Sequence, residues 1–335
     1  MKLALIGATG VVGETILRVL DERALAVEEL GAFASRDRAQ PLRWREREWP
    51  IRAASAQALR ARPYDALLFA SSEDAGAELA RGALESGAIV IDNSAAFRLA
   101  EGVPLIVPEI NGGSLGPGDR LLPVANCTAI VLCLALAPIA RSAGLRRVQV
   151  ATYQAVSGAG RAGLEALAAE ERDPAGARAE NSPFAAPIAR NVVPLVGALD
   201  AGGDSGEEKK LAAETRKILA LPQLRIAATT VRVPVRRAHS IAAFIECERP
   251  TSLAELAAAL AVAPGLVFHR EGIVTPREVE GQDLVHVARL RAEEGSERHF
   301  ALWAVGDQLR KGAATTAVQL LELALAQRAR TNGAA

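Results

Sequence analysis

Two cysteines fall in one apolar run, VANCTAIVLCLALAPIA, which starts at Val124. A thiol is a strong nucleophile only as the thiolate, and a helix N-terminus or a nearby histidine favours that form. Cys127 follows Asn126 at the mouth of the run, so the first turn of a helix starting there is expected to aim its N–H groups at the sulfur. Cys133 lies inside the run, where a thiol is merely a small hydrophobe. From this stretch alone, packing and chemistry remain equally open for Cys127.

Two other segments carry groups that could partner such a thiol. TYQAVSGAG places Gln154, Ser157, Gly158 and Gly160 in a glycine-rich turn directly after a strand. TVRVPVRRAHS carries Arg232 and His239. Arginine is suited to gripping a carboxylate through two parallel N–H bonds, and histidine to moving a proton near neutral pH. Their separation is odd, so one uninterrupted strand would point them to opposite faces. Pro234 makes an uninterrupted central strand a poor fit, and a bend there could bring both side chains into one cleft. The plain alternatives are surface ion pairing for Arg98 and Arg232, and a helix-face pair for Glu214 and Lys217 worth roughly a few tenths of a kcal/mol.

A cofactor signal opens the chain. GATGVVG sets Gly7, Gly10 and Gly13 between a first strand and a first helix. Glycines there let the backbone turn tightly and approach a phosphate, while the helix N-terminus supplies N–H donors and partial positive charge. At the end of the second strand an acidic residue suits a ribose 2′-hydroxyl and an arginine suits a 2′-phosphate. The segment FASRDRAQ offers Ser35, Arg36 and Arg38, which favour NADP, with Asp37 between the arginines pulling the other way. A solvated charged loop is the alternative.

The elements that must position these groups alternate in the first half. KLALIG and ELGAFAS read as strands, GETILRVLDERA as a helix with apolar residues at three- and four-residue spacing. YDALLFAS, AIVIDNS and VPLIVPEI are further runs of strand length, with the helix DAGAELARGALESG between the first two. This rhythm predicts an α/β fold with a parallel, doubly wound sheet. Beyond Cys127 the longer alternating segments RRVQVATYQAVSG, LRIAATTVRVPV and SIAAFIECER predict a largely antiparallel sheet with helices on one face. DPAGARAENSPFAAP and DAGGDSGEE read as surface loops. TTAVQLLELALAQRA reads as an amphipathic helix ending in a frayed polar tail.

Bulk composition bounds the function class. The 335 residues suit two domains, and 39 basic residues balance 39 acidic ones. Neutrality gives no electrostatic case for a nucleic-acid or membrane-surface partner. No uninterrupted apolar run is long enough to span a bilayer. Three cysteines without metal-site spacing fit a reducing, cytoplasmic setting, with no metal expected. Lysine is sparse, occurring only at 2, 209, 210, 217 and 311, so a retained lysine could mark a place that needs a compact ammonium.

Taken together, GATGVVG, VIDNSAAFR, VPLIVPEIN, ANCTA, TYQAVSGAG, ETRKIL, VRVPV..AHS and RKGAA resemble the aspartate-semialdehyde dehydrogenase family, in the family's order and at closely similar spacing. The resemblance implies a Rossmann-like NADP-binding domain over 1–126 and 313–335, the C-terminal helix returning to it. It implies an α+β catalytic and dimerisation domain over 127–312, and a homodimer. It casts Cys127 as an acyl-thioester nucleophile, His239 as acid/base and Gln154 as the residue that orients the substrate. Arg232 then takes the substrate α-carboxylate and Glu214 faces its amino group. Arg98, Asn126 and Lys217 form a phosphate pocket. Gly7, Thr9, Gly10, Val11, Val12, Gly13, Ser35, Arg36, Arg38, Ser157, Gly158 and Gln308 meet the cofactor. His269, His286 and His299 match nothing catalytic.

The implied reaction is reversible reductive dephosphorylation of L-4-aspartyl phosphate, a small-molecule substrate, to L-aspartate 4-semialdehyde, releasing inorganic phosphate. It belongs to lysine, threonine and methionine biosynthesis. Alternatives are an N-acetyl-γ-glutamyl-phosphate reductase, which resembles the chain less around the cysteine, and a non-catalytic nucleotide-binding relative, which would have lost its nucleophile. Two departures stand out. SRDRAQ replaces the family's Ser-x-Arg-Ser-x-Gly pattern, leaving open which arginine meets the 2′-phosphate. SSED follows YDALLFA where a glycine-containing turn is expected, putting an acidic pair near the cofactor.

Overall fold

The computed structural model describes residues 1–70, 75–173 and 178–333. The chain divides into two compact units, Met1–Ala125 with the C-terminal residues from Ala313, and Asn126–Gly312. No helix among the described residues is long and apolar enough to cross a membrane. Ser71–Asp74, the expected acidic turn, lie outside the described residues.

In the first unit β1 (Lys2–Ile6) leads into α1 (Val11–Glu22) and β2 (Glu29–Ala34). A small hairpin, β3 (Leu42–Trp44) and β4 (Arg47–Trp49), precedes β5 (Ile51–Ala53) and α2 (Ala56–Arg60). Then follow β6 (Ala66–Phe69), α3 (Ala75–Glu85), β7 (Ile89–Asp92), α4 (Pro108–Asn111) and β8 (Leu121–Pro123). Six strands form one sheet in the order β5-β2-β1-β6-β7-β8, every pair parallel. Strands β6 and β7 are buried at every position. Continuous apolar runs of this kind are what a sheet covered on both faces requires. The sheet is the predicted doubly wound one, and the C-terminal helix packs against both α1 and β7.

One predicted strand is absent. VPLIVPEI buries Leu105, Ile106 and Val107, but its backbone pairs with a side chain rather than a strand. Asn111 Oδ1 accepts from Val107 N at 2.8 Å and its Nδ2 donates to Leu105 O at 3.0 Å. Pro108 then opens α4, its fixed φ and missing N–H suiting the first helical turn. The sheet edge is instead the short β8.

The second unit starts with α5 (Cys127–Ala143), in which thirteen of seventeen residues are buried, so it is a core helix with no wet face. It continues through β9 (Arg147–Gln154), α6 (Gly160–Arg172), α7 (Gly206–Leu219), β10 (Arg225–Arg232) and β11 (His239–Glu246). After these come α8 (Leu253–Ala261), β12 (Leu266–Phe268), α9 (Pro276–Val279), β13 (Val285–Ala292) and β14 (His299–Gly306). The sheet order is β10-β9-β11-β14-β13-β12. Its three inner pairs are antiparallel and its two outer pairs parallel, a mixed and largely antiparallel sheet. Helices α5, α7 and α8 pack on one face, as expected. The other face is open, with Arg147, Gln149 and Tyr153 alternating outward along β9 and Phe244 half exposed on β11.

Two loop readings need refining. In DPAGARAENSPFAAP, Pro174–Ala177 lie outside the described residues; the rest is a loop, but one pinned to the core by Phe184, buried with Val156 and Leu167, and by Ile188 just after it. A buried carboxylate, Glu170, makes this possible by accepting from the N–H groups of Ala179, Ile188 and Ala189. In DAGGDSGEE the last residues are helical, because Ser205 caps α7 in a capping box with Glu208. The final helix, α10 (Thr315–Gly333), is the one expected from TTAVQLLELALAQRA.

Candidate active site

Asn126 caps α5. Its Oδ1 accepts from Thr128 N at 2.9 Å and Ala129 N at 3.1 Å. The first-turn donors expected to face the Cys127 sulfur are therefore taken by the side chain before it, since a capping carbonyl is the better acceptor at short reach. Cys127 is the first residue of the helix, half-buried, with Sγ 3.9 Å from Thr128 Oγ1. Asn126 is held from behind as well: its N–H donates to Glu214 Oε2 at 2.6 Å and its Nδ2 to Glu207 Oε1 at 2.9 Å. Gly312, in the π-helical turn that starts at Arg310, packs against Cys127. A Cβ on Gly312 would lie 2.7 Å from Cys127 Cβ, so only glycine lets the two backbones approach. Lys311 of the same turn is fully buried.

Strand register brings the remaining polar groups together. Gln154 and Arg232, the last residues of neighbouring parallel strands, are register partners, and His239 opens the strand on the other side of β9. Arg232 is 6 % exposed. Its Nη1 donates to Ala155 O at 2.7 Å, its guanidinium lies 5.6 Å from the Phe184 ring centre, and its Nε has no partner. No carboxylate forms a salt bridge with it among the described residues. Burial pulls its pKa down, opposed by the Cys127 thiol and the Glu207 carboxylate nearby.

His239 is fully buried and accepts at Nδ1 from Ala155 N at 3.0 Å. Burial first, then the Arg232 charge, hold its pKa well below the usual value, so the ring is neutral at pH 7. With Nδ1 accepting, the proton of the neutral ring sits on Nε2, which has no partner in the structure. Arg232 and His239 thus share one cleft, across the bend at Pro234. Gln154 is buried, its Nε2 donating to Thr128 Oγ1 at 2.9 Å and to Glu207 Oε1 at 3.4 Å.

Glu214 is 1 % exposed and Lys217 half-buried, three residues apart on α7. Burial lowers the Lys217 pKa, with Glu214 acting against it. Ser157 and Gln308 are buried and bonded to each other, Gln308 Nε2 donating to Ser157 Oγ and its Oε1 accepting from Ala238 N at 2.8 Å. Among the described residues no three His, Cys, Asp or Glu side chains are grouped to hold a metal ion. His269 and His286 stack on each other, and His299 is exposed.

The first unit carries the expected nucleotide features. Strand order reverses at β1, the place where open α/β sheets bind ligands. Gly7 has φ +85° in the turn after β1, and a Cβ on Gly13 would fall 2.3 Å from Gly7 O. No side chain caps α1 at Gly10, which leaves its first-turn N–H groups, Val11 and Val12 among them, directed at the turn that holds Thr9. That cradle fits a phosphate. Ser35, Arg36 and Arg38 are exposed at the end of β2. Asp37 is turned away, its Oδ1 accepting from Ala53 N at 2.7 Å. Arg98, in the turn after β7, donates through Nη2 to Asn93 O at 2.7 Å.

Sequence reasoning missed Glu207, Phe184 and Gly312. Glu207 and Phe184 were each hidden in a segment read as a surface loop. RKGAA pointed to the Gly312 segment without saying what it packs on.

Comparison with known proteins matches the semialdehyde dehydrogenase NAD binding domain over residues 2–116 and the semialdehyde dehydrogenase dimerisation domain over residues 136–311. The chain is 36 % identical over 331 residues to an aspartate-semialdehyde dehydrogenase of Synechocystis sp., covering 96 % of this chain and 97 % of the relative. It is 36 % identical over 333 residues to that of Aquifex aeolicus, with 96 % and 97 % covered. The crystal structure of aspartate semialdehyde dehydrogenase II from Vibrio cholerae matches with a TM-score of 0.90 at 34 % identity, over 97 % of this chain and 98 % of that one. The same protein has been solved complexed with ASA.

Proposed function

The chain belongs to the aspartate-semialdehyde dehydrogenase family, and on that premise we propose that it catalyses the reversible reductive dephosphorylation of L-4-aspartyl phosphate to L-aspartate 4-semialdehyde, a step of amino-acid biosynthesis. One observation carries the reading. A buried arginine that no carboxylate salt-bridges among the described residues, Arg232, lies with a neutral histidine and within electrostatic reach of a cysteine at a helix start. A desolvated guanidinium is costly unless a carboxylate arrives to pair with it.

Arg232 grips the substrate α-carboxylate, and Glu214 faces the amino group. The Cys127 thiolate attacks the acyl carbon, the carbon–oxygen bond to phosphate breaks, and a thioester forms as inorganic phosphate leaves. Asn126, Lys217 and Arg98 are assigned to the phosphate from their matching motifs. Bound NADPH supplies the hydride that reduces the acyl carbon. The Nε2–H of His239 donates a hydrogen bond to the oxygen of the acyl carbon, stabilising the thiohemiacetal oxyanion as it forms and until it expels the Cys127 thiolate and the aldehyde leaves. Gln154 orients the reacting carbonyl.

For the cofactor, residues 1–126 and 313–335 form the nucleotide-binding domain in this reading. Gly7, Thr9, Gly10, Val11, Val12 and Gly13 hold the pyrophosphate, and Ser35, Arg36 and Arg38 the 2′-phosphate. Ser157, Gly158 and Gln308 are assigned to the nicotinamide end. Asp37 bonded to backbone supports NADP over NAD. Residues 127–312 form the catalytic and dimerisation domain. The open face of its sheet, with Phe244 50 % and Tyr153 37 % exposed, supports a second copy of the chain as partner. Three free thiols favour the cytoplasm.

A spectrophotometric assay with aspartate semialdehyde, phosphate and NADP tests the reading. Phosphate-dependent NADP reduction is expected. No turnover, or faster turnover of N-acetylglutamate semialdehyde, would overturn it.

A further inference from the structure

Glu207 lies in the first turn of α7, in the run DSGEEKK. Its carboxylate reaches two amides of the site. Oε1 accepts from Asn126 Nδ2 at 2.9 Å and from Gln154 Nε2 at 3.4 Å, and its charge is felt at Arg232. The neighbouring Glu208 does the structural work of this turn, completing the capping box with Ser205 and accepting from Thr230 N. Glu207 is not needed for that.

A carboxylate only accepts, whereas a primary amide both donates and accepts. One acceptor therefore favours the same end of each amide: it reinforces the orientation that the cap already gives Asn126, and it decides that of Gln154. For Asn126 it draws Nδ2 aside and leaves Oδ1 to cap α5, one residue before Cys127. For Gln154 it draws Nε2 toward itself and the Thr128 hydroxyl, so Oε1 is the atom presented to a substrate. Thr128 could not impose this alone, because a hydroxyl can take either role.

Resting on the function proposed above, we infer that Glu207 is a positioning residue: it sets the amide orientation of Gln154 and steadies that of Asn126, and through them the polar surface the reacting carbonyl meets. Loss of that orientation costs rate more than affinity. Arg232 still holds the carboxylate, and removing Glu207 takes a competing negative charge from its vicinity.

Glu207→Gln tests this, keeping size while replacing an acceptor-only group with one that can face either way. In the semialdehyde assay kcat should fall about tenfold or more, as small misplacements at a reacting centre do. KM for the semialdehyde should stay level or fall. Combined with Gln154→Ala, the double variant should lose less than the product of the two single losses. Iodoacetamide should modify Cys127 at least as fast as in wild type, which separates misorientation from a general loss of folded sites. Glu207→Ala is read the same way should the glutamine variant fold poorly. A kcat within twofold of wild type, or fully multiplicative losses, would overturn the inference alone. A wild-type chain that does not turn over the semialdehyde overturns the functional reading and this inference together.

Discussion

Arg232 and His239 converge on Gly158, where a Cβ would stand 2.8 Å from Arg232 Nη1 and 3.2 Å from His239 Nε2. One residue is the last of a strand and the other the first of the next, and Gly158 is the exposed backbone between them and solvent. Gly158→Ala must push aside one or both side chains. Because Gly158 is exposed and has no positive φ, the fold should tolerate the change while kcat/KM falls by up to about 100-fold. Kinetics beside a thermal melt check this; a wild-type rate would mean that neither side chain needs its observed position.

Substrate grip is read from Arg232→Lys. Lysine keeps the charge but loses the planar fork that matches a carboxylate. KM for the semialdehyde should rise and kcat/KM fall, because a misplaced substrate also reacts less well. Steady-state constants equal to wild type would remove Arg232 from the α-carboxylate.

The pH dependence of stability follows from His239. Burial and the Arg232 charge hold its folded pKa well below the unfolded value of about 6.5. Below pH ~6.5 the unfolded chain takes up a proton that the folded chain refuses, so the unfolded state binds more protons and stability falls as the pH is lowered. The contribution is complete above that pH and is lost as pH drops toward the folded pKa. Thermal midpoints from pH 7 to pH 5 should decline, and less steeply in His239→Gln. His286, also shifted down by burial, keeps some slope in the variant. Identical slopes would exclude His239 as the group.

The cysteines should separate on brief iodoacetamide treatment of the native protein. Burial raises Cys133 to about 12 and Cys247 to about 11, so both stay protonated near neutral pH. Mass mapping should find Cys127 modified first, with activity falling in step and phosphate plus semialdehyde protecting it. Preferential labelling of Cys133 would contradict its burial.

Cofactor choice is tested by replacing Arg36 and Arg38 together with alanine. NADP should weaken far more than NAD, since only NADP carries a 2′-phosphate. Equal weakening in fluorescence titrations of both cofactors would place these exposed arginines elsewhere.

Much of this protein is local pattern, and local pattern is legible. Runs of strand length separated by three- and four-residue apolar spacing predicted the parallel sheet of the first unit, because burial on both faces leaves an unbroken apolar strand. Alternation predicted the second sheet, with helices on one of its faces. VPLIVPEI failed as a strand because Asn111, not a neighbouring strand, bonds its backbone. Apolarity alone does not distinguish those two ways of satisfying buried amides.

The residue types at 127, 154, 232 and 239 came from the sequence, as did the bend at Pro234 that allows Arg232 and His239 to meet. Their meeting on Gly158 did not, since it depends on β9 lying between β10 and β11. The sharpest case is the pair Glu207 and Glu208, adjacent and chemically identical. Successive helical positions point about 100° apart. One carboxylate therefore turns to the cap and Thr230, and the other to Asn126 and Gln154. Periodicity can say that the two face different ways; only the strands and helices packed around them decide what each one finds there.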